Sequence, residues 1–270
     1  MNIVFQGEKG SFSEAMASIM FSEDVVLISC KTFKEVFDSV DCGKADIGVV
    51  PVENSTTGKI CEVTDLLISS DVNVCREGFL RINHCLIVNK DVLLKNIKQI
   101  YAHPEALLQC KSFLRELNCE LISWYDGAAA SEIIKKKSDT GLIASKNVAD
   151  IYNLKILKEE IQDSKENTTR FFIISKKSVS STGNDKTSVI FYTQHKPGLL
   201  YHALECFAKE KINLTRIESM PLKEKPWNYL FLIEFLGHRD DLNVKKALQD
   251  FKKNVISMKI LGSYPCGSIY

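Results

Sequence analysis

No apolar stretch in this sequence approaches the roughly 20 residues needed to cross a bilayer, and no block of like charge breaks it up. The opening, MNIVFQGEKG, lacks the basic and then long apolar pattern of a secretory leader, so a cytoplasmic protein is expected. Lys and Arg number 35 against 34 Asp and Glu, a formal charge of +1, which leaves no electrostatic footprint for nucleic acid or a membrane and favours a small-molecule partner. The nine cysteines include no CxxC pair and are odd in number, which argues against a disulfide framework and against a zinc site. The five histidines show neither HxxxH nor HExxH spacing, so no metal is expected. GEKG is not GxGxxG, and Gly58-Lys59 runs into Ile60 without the glycine spacing of a P-loop, so no nucleotide cofactor is expected either.

What remains is a chain of 270 residues, 45% hydrophobic, enough for one large or two ordinary domains with filled cores. SKKSVSSTGNDK, from Ser175 to Lys186, is nearly free of apolar residues and has the composition of a linker, so two domains are expected. Before it, one grammar recurs. NIVF leads through QGEKGS to FSEAMASIMF, and DIGVVPV through ENSTTG to KICEVTDLLI. KQIYA leads through His103-Pro104 to EALLQCKSFL, and GLIA through Ser145 to KNVADIY. Each reads as strand, polar turn, helix, with short apolar runs of the kind buried on both faces of a parallel sheet. Ligands of such sheets sit beyond the carboxyl ends of the strands, where free helix N–H groups favour an anion.

Several residues at that edge are candidates. Glu53, Asn54, Ser55 and Thr56 end the most apolar strand, and they either cap the next helix or, since one cap suffices, contact a ligand. In the helix after Pro104, Ala106, Leu107, Cys110, Phe113, Leu114 and Leu117 recur at helical spacing and should face the sheet, which leaves Gln109 near its rim. Glu105 shares a face with Gln109, although the helix dipole already accounts for a glutamate in a first turn. His103 reads as a helix cap rather than a base. NTTRFF, residues 167–172, sets two hydroxyls and a guanidinium before an apolar run, either as polar punctuation or as part of a site. After the linker, TSVIFYT, PGLLYHALECFAKE, INLTRIES, WNYLFLIEFLG, DLNVKKALQDFKK and VISMKILGSY read as a βαββαβ unit. Its first helix carries a stripe of Leu199, Leu200, Ala203, Leu204, Phe207 and Ala208.

Taken together, the motifs resemble a monofunctional prephenate dehydratase with a C-terminal ACT domain, nearly end to end. FQGEKGSFSEA resembles the family's glycine loop, GVVPVENSTTG its Glu-Asn-Ser motif, YAHPEALLQC its His-Pro helix start and IQDSKENTTRFFII its Thr-Arg-Phe motif. KPGLLYHAL and LTRIESMP resemble the ACT motifs, and LGSYP the usual ending. The chain departs from the family's common pattern at Ala102, Glu105 and Gly127. It departs most at Met220, which stands where the regulatory motif has arginine, while Leu199 takes the second position of the Gly-Ala-Leu motif.

The resemblance implies an α/β fold: a two-lobed, parallel-sheet catalytic domain like a periplasmic binding protein over residues 1–177, then a βαββαβ ACT domain over 186–264. It implies loss of carbon dioxide and water from prephenate to give phenylpyruvate in phenylalanine biosynthesis, without a cofactor. Thr169 would hydrogen-bond the leaving oxygen, Arg170 would grip a carboxylate and Phe171 would exclude water. Glu53, Asn54, Ser55, Gln109 and Thr168 would hold the rest of the substrate. Phenylalanine would act as effector at Gly198, Leu199, Leu200, Glu218 and Ser219, with the loop from His195 supplying N–H groups, in a homodimer or dimer of dimers. Two rival functions stay open at this point: an arogenate dehydratase, for which Glu53 would face an ammonium, and a non-catalytic amino-acid sensor on the same fold.

Overall fold

The computed structural model describes residues 1–21, 24–194, 196–221 and 229–270. His195, from the expected effector loop, lies outside them. The chain begins with β1 (Asn2–Gln6), α1 (Phe12–Met20), β2 (Val26–Cys30), α2 (Phe33–Asp41), β3 (Ile47–Asn54), β4 (Gly58–Lys59), α3 (Cys61–Ser69) and β5 (Asn73–Arg81). It continues with β6 (Cys85–Val88), β7 (Gln99–Ala102), α4 (Pro104–Gln109), α5 (Lys111–Arg115), β8 (Glu120–Ser123), α6 (Ser131–Ile134), β9 (Thr140–Ala144), α7 (Lys146–Tyr152) and β10 (Lys155–Lys158). β11 (Thr168–Ser175) follows, and then β12 (Asp185–Tyr192), α8 (Leu199–Lys209), β13 (Leu214–Pro221), β14 (Tyr229–Leu236), α9 (Leu242–Lys253) and β15 (Ser257–Pro265).

These strands make three sheets, ordered β2-β1-β3-β11-β5 with β4 on β3, β10-β6-β9-β7-β8, and β13-β14-β12-β15. The chain divides into two compact units, residues 1–64, 78–172 and 268–270 in one and residues 65–77 and 173–267 in the other.

In the first unit, β1 runs parallel to β2 and β3, and β7 parallel to β8 and β9. The strand–turn–helix readings therefore stand, and the first unit is a two-lobed α/β structure. The all-parallel expectation fails at β4, which is antiparallel to β3, and at β6, which is antiparallel to both β9 and β10. β6 enters its sheet from the other lobe without a helical crossover, so nothing forces it to run with β7 and β9. That sheet is buried on both faces. Leu86, Val88, Ile100, Ala102 and Ile143 meet Ala106, Cys110 and Leu114 of the α4–α5 region on one side, and Cys85, Ile87, Tyr101, Leu142 and Ala144 meet Ala128, Ala130 and Val148 on the other. Residues adjacent in sequence go to opposite faces because the strand period is two.

The helix expected after Pro104 is broken at Cys110, whose φ of −118° and ψ of 26° leave the helical region. The apolar stripe survives the break. The two passages between the lobes run side by side, with the Ile82 N–H donating to the Asn167 carbonyl at 2.9 Å.

In the second unit, residues 185–265 form the βαββαβ sheet with α8 and α9 packed on Val189, Phe191, Ile233 and Phe235. The buried stripe of α8 runs through Ala203, Cys206 and Phe207; Ala208, expected on it, is exposed, because positions 203, 206 and 207 already fill the face at three- and four-residue steps.

Candidate active site

The β1–α1 turn forms one wall of a cleft of about 400 Å³ between the lobes of the first unit. Gly7, at φ +110°, makes the turn, and a Cβ there would lie 2.7 Å from Asp126 Oδ2. Asp126 reaches across from the other lobe, with Oδ2 accepting from the Glu8 N–H at 3.0 Å and Oδ1 from the Ala128 N–H at 2.7 Å. Ser145 adds a second tie between the lobes, donating from Oγ to the Gly10 carbonyl at 2.5 Å. Ser11 caps α1 by accepting from the Glu14 N–H, and the first turn, Ser11 to Ser13, lines the cleft with the positive end of the helix dipole.

The floor is a buried network of amides. Asn54, at the end of β3, accepts on Oδ1 from the N–H groups of Thr56 and Thr57 at 2.9 and 3.1 Å. Its Nδ2 donates to Thr169 Oγ1 at 2.9 Å and to Asn167 Oδ1 at 2.7 Å. Gln109, at the end of α4, donates from Nε2 to Asn54 Oδ1 at 3.3 Å, and its Oε1 accepts from Asn167 Nδ2 at 2.8 Å. His84 Nε2 lies 2.7 Å from the same Gln109 oxygen. Burial holds the His84 ring below the ordinary imidazole range, against the Gln109 hydrogen bond that pulls the other way. His103 is lowered too, by burial, with Glu105 and Asp126 opposing. His103 is a helix cap, its Nδ1 accepting from the Glu105 N–H at 3.2 Å. Burial pushes the Cys110 thiol up to about 12, so it packs and does not react.

Of the residues expected at the substrate, Asn54, Gln109, Thr169 and Phe171 line this cleft. Gln109, expected near the rim, is buried at its floor. Ser55 and Thr168 clasp β3 to β11. Ser55 N donates to the Thr168 carbonyl at 2.8 Å, and Ser55 Oγ accepts from Thr168 N at 3.0 Å while donating to the Glu166 carbonyl. Glu53 sits opposite Lys59 in the β3–β4 ladder, off the cleft wall. Arg170 is also off that wall. Its guanidinium is buried 4.7 Å from the centre of the Phe172 ring and 5.9 Å from that of Phe79. Strand alternation is the reason: Thr169 and Phe171 share one face of β11, so Arg170 falls on the other. Asn167 and His84 were missed. Asn167 stood at the head of NTTRFF, but nothing in the sequence couples His84 to Gln109.

The comparisons with known proteins follow this geometry. The sequence model of the family "Prephenate dehydratase" matches residues 3–179, and that of "ACT domain" matches residues 187–252. This chain belongs to the prephenate dehydratase family. It is 38% identical to a bifunctional chorismate mutase/prephenate dehydratase of Aquifex aeolicus, over 98% of this chain and 74% of that one. A prephenate dehydratase of Methanocaldococcus jannaschii is 35% identical over 97% of both chains. An arogenate dehydratase/prephenate dehydratase 2 of Arabidopsis thaliana is 32% identical over 98% of this chain and 73% of that one. Among solved structures, a prephenate dehydratase from Arthrobacter aurescens in complex with L-Phe superposes with a TM-score of 0.89 at 29% identity, over 98% of this chain and 90% of the other. A protein reported as a novel type of quorum quenching acylase superposes at 0.87 and 28%, over 98% of both. Membership of the dehydratase family makes this protein a lyase, with the two-lobed fold and the ACT sheet already described.

In the ACT unit, Gly198 at φ +82° precedes α8 with no side-chain cap, and Leu199 and Leu200 open the helix half-buried. Glu218 and Ser219 point to opposite faces of β13. The Glu218 carboxylate pairs with Arg216 at 2.9 Å, and Met220, in place of the regulatory arginine, is buried. Among the described residues no group of three or more His, Cys, Asp or Glu is placed to hold a metal, and no helix is long and apolar enough to cross a membrane.

Proposed function

We propose that the cleft converts prephenate to phenylpyruvate with Thr169 as the group at the departing hydroxyl. The bond to the ring carboxylate breaks and leaves its electron pair in the ring as carbon dioxide departs. The ring C–O bond breaks with its pair on oxygen, which leaves as hydroxide and takes up one proton from solvent to become water. The gain of aromaticity drives both, so the protein has to position and stabilise rather than supply strong acid. The observation that carries this reading is the Thr169 hydroxyl, held on the cleft wall by an Asn54 amide that donates to it. A threonine is too weak an acid to hand over a proton freely, and a hydrogen bond to the developing hydroxide is the role it can fill. The first turn of α1 and Lys59 supply positive potential for the side-chain carboxylate, and Phe12 and Phe171 keep the ring carboxylate dry, which favours its loss as neutral carbon dioxide.

The arogenate reading needs a carboxylate for an ammonium. Glu53, the sequence candidate, is off the cleft wall, whereas Glu105 and Asp126 line it, and both oxygens of Asp126 already accept backbone N–H groups. Glu105 is then the group that would admit arogenate. Incubating the protein with prephenate and with arogenate in parallel, and with an N-acyl amide for the acylase likeness, tests the assignment by the products formed. Turnover of neither dienyl acid would return the chain to the sensor reading.

We also assign the catalytic domain to residues 1–177 and the ACT domain to 186–264, with phenylalanine as effector at the N-terminus of α8 and the strand β13. A homodimer or dimer of dimers is supported by β13 and β15, which are outer strands of a small sheet. Nine free cysteines support a reducing, cytoplasmic setting.

A further inference from the structure

We propose that His84 is a positioning residue for this reaction, its neutral ring carrying the proton on Nε2 and so fixing the direction of the hydrogen bonds that end at the Thr169 hydroxyl. The proposal rests on the prephenate reading of the cleft. Its starting point is a pair of groups whose roles cannot change. The backbone N–H groups of Thr56 and Thr57 only donate, and both meet Asn54 Oδ1. Asn54 Nδ2 therefore faces the other way, and its two hydrogens go to Thr169 Oγ1 and Asn167 Oδ1. With Asn167 Oδ1 so occupied, Asn167 Nδ2 must be the atom at Gln109, and the Gln109 atom it meets must be the oxygen. Gln109 Nε2 is then the atom that returns to Asn54 Oδ1. One contact is left to assign. At 2.7 Å from the accepting Gln109 Oε1, His84 Nε2 has only the donor role open.

The other ring nitrogen, His84 Nδ1, is buried and has no hydrogen-bond partner among the described residues. A second proton there would be a charged donor without an acceptor, so the ring stays neutral. A proton on Nδ1 alone would set two lone pairs against each other at Gln109. Turning Gln109 over to relieve them would oppose its oxygen to Asn54 Oδ1 and its Nε2 to Asn167 Nδ2. The ring is held in place for this role by the edge-on Phe12 ring, 5.4 Å between centres, and the His84 backbone is anchored by its main-chain N–H, which donates to Gln162 Oε1 at 2.9 Å. At the far end, Thr169 Oγ1 accepts from Asn54 and so keeps its own proton for the cleft, where the leaving hydroxyl would take it as a hydrogen bond. His84 acts on the substrate through Gln109 and Asn54, and its signature is in turnover rather than binding.

The test uses full-length protein labelled with ¹⁵N-histidine, with the His84 signals identified by their loss in His84→Gln. The expected spectrum at neutral pH shows His84 as the Nε2–H tautomer. His84→Gln, whose Nε2–H can take the place of the imidazole's, should keep kcat within about 3-fold, whereas His84→Leu should lose about 10- to 100-fold with KM changed by less than about 3-fold. An Nδ1–H tautomer or an imidazolium overturns the proposal, and so does equal loss of kcat in the two variants. A full-length protein that does not turn over prephenate defeats the proposed function instead, and the tautomer then still decides the direction of the network.

Discussion

On the proposed reading, the chemistry narrows at Thr169 to one hydroxyl that accepts from Asn54 Nδ2. Thr169→Val keeps the shape of the side chain and removes the donor, so kcat should fall by about 10²- to 10⁴-fold with KM altered far less. Near-normal turnover in steady-state assays would make Thr169 structural. Its neighbour Arg170 behaves differently because it stacks on Phe172, away from the cleft. Arg170→Lys should lower the melting temperature, reflecting about 1–2 kcal/mol of lost stacking on the aromatic rings, and leave KM close to its original value. A large rise in KM without loss of stability would restore the carboxylate grip that the sequence suggests. The buried histidines make stability depend on pH. The rings of His84 and His103 are held below the usual 6.5 by burial, so the unfolded chain takes up protons at a pH where the folded chain does not. Their contribution is complete above that value and is lost as pH falls toward the folded-state values. Melting temperature should therefore decline between about pH 7.5 and 5.5, and His84→Gln should flatten the decline; a parallel slope in the variant would exclude His84 from it.

Among the elements, the β1–α1 turn and β11 decide what the cleft can do. The turn depends on Gly7, because φ +110° disfavours any side chain and the space for one is filled by Asp126. Gly7→Ala should cost about 1–3 kcal/mol and displace Asp126 from the Glu8 N–H, loosening the tie between the lobes. Activity should drop together with thermal stability, and a variant as stable and active as the original would show the turn to be adaptable. β11 shows how much of the site was legible. TTRFF was readable as a site motif, and the period of a strand, once applied, separates Thr169 and Phe171 from Arg170. Ser55 and Thr168 were not separable from ligand-binding residues in this way, since the Ser55 hydroxyl bridges the Glu166 carbonyl and the Thr168 N–H, 111 and 113 residues away, while the Thr168 hydroxyl turns back onto the Glu166 carbonyl. The break at Cys110 was equally hidden, because the apolar positions of α4 and α5 keep one helical period across it.

For the molecule as a whole, the question is whether the ACT unit senses phenylalanine without its usual arginine. Met220 is buried and Arg216 pairs with Glu218, so the motif keeps a guanidinium four residues before Met220 on β13. Inhibition by phenylalanine should survive in weakened form, with about 1–3 kcal/mol of coupling between the effector site and the catalytic cleft. Calorimetry and activity on the full-length protein measure both sides of that coupling. Absence of heat on titration, with activity indifferent to phenylalanine, would reduce the ACT unit to an assembly module and leave the dehydratase assignment standing.

What the sequence by itself determined is everything carried by short range. Period-two and period-3.6 apolar patterns placed the strands and helices, polar turns marked the edge where ligands bind, the Ser- and Lys-rich linker marked the second half, and contiguous motifs pointed to the family. Tertiary structure decided which of these pieces share a wall. Asn54 and Asn167 lie 113 residues apart, and Asn54 and Thr169 lie 115 apart. Gln109 joins them from the end of another helix and His84 from the passage between lobes. No local pattern encodes such a meeting. A hydrogen bond is specified only when both partners are in place, and the direction of each bond here is set by the next group around the network, beginning at two backbone N–H groups that have no choice.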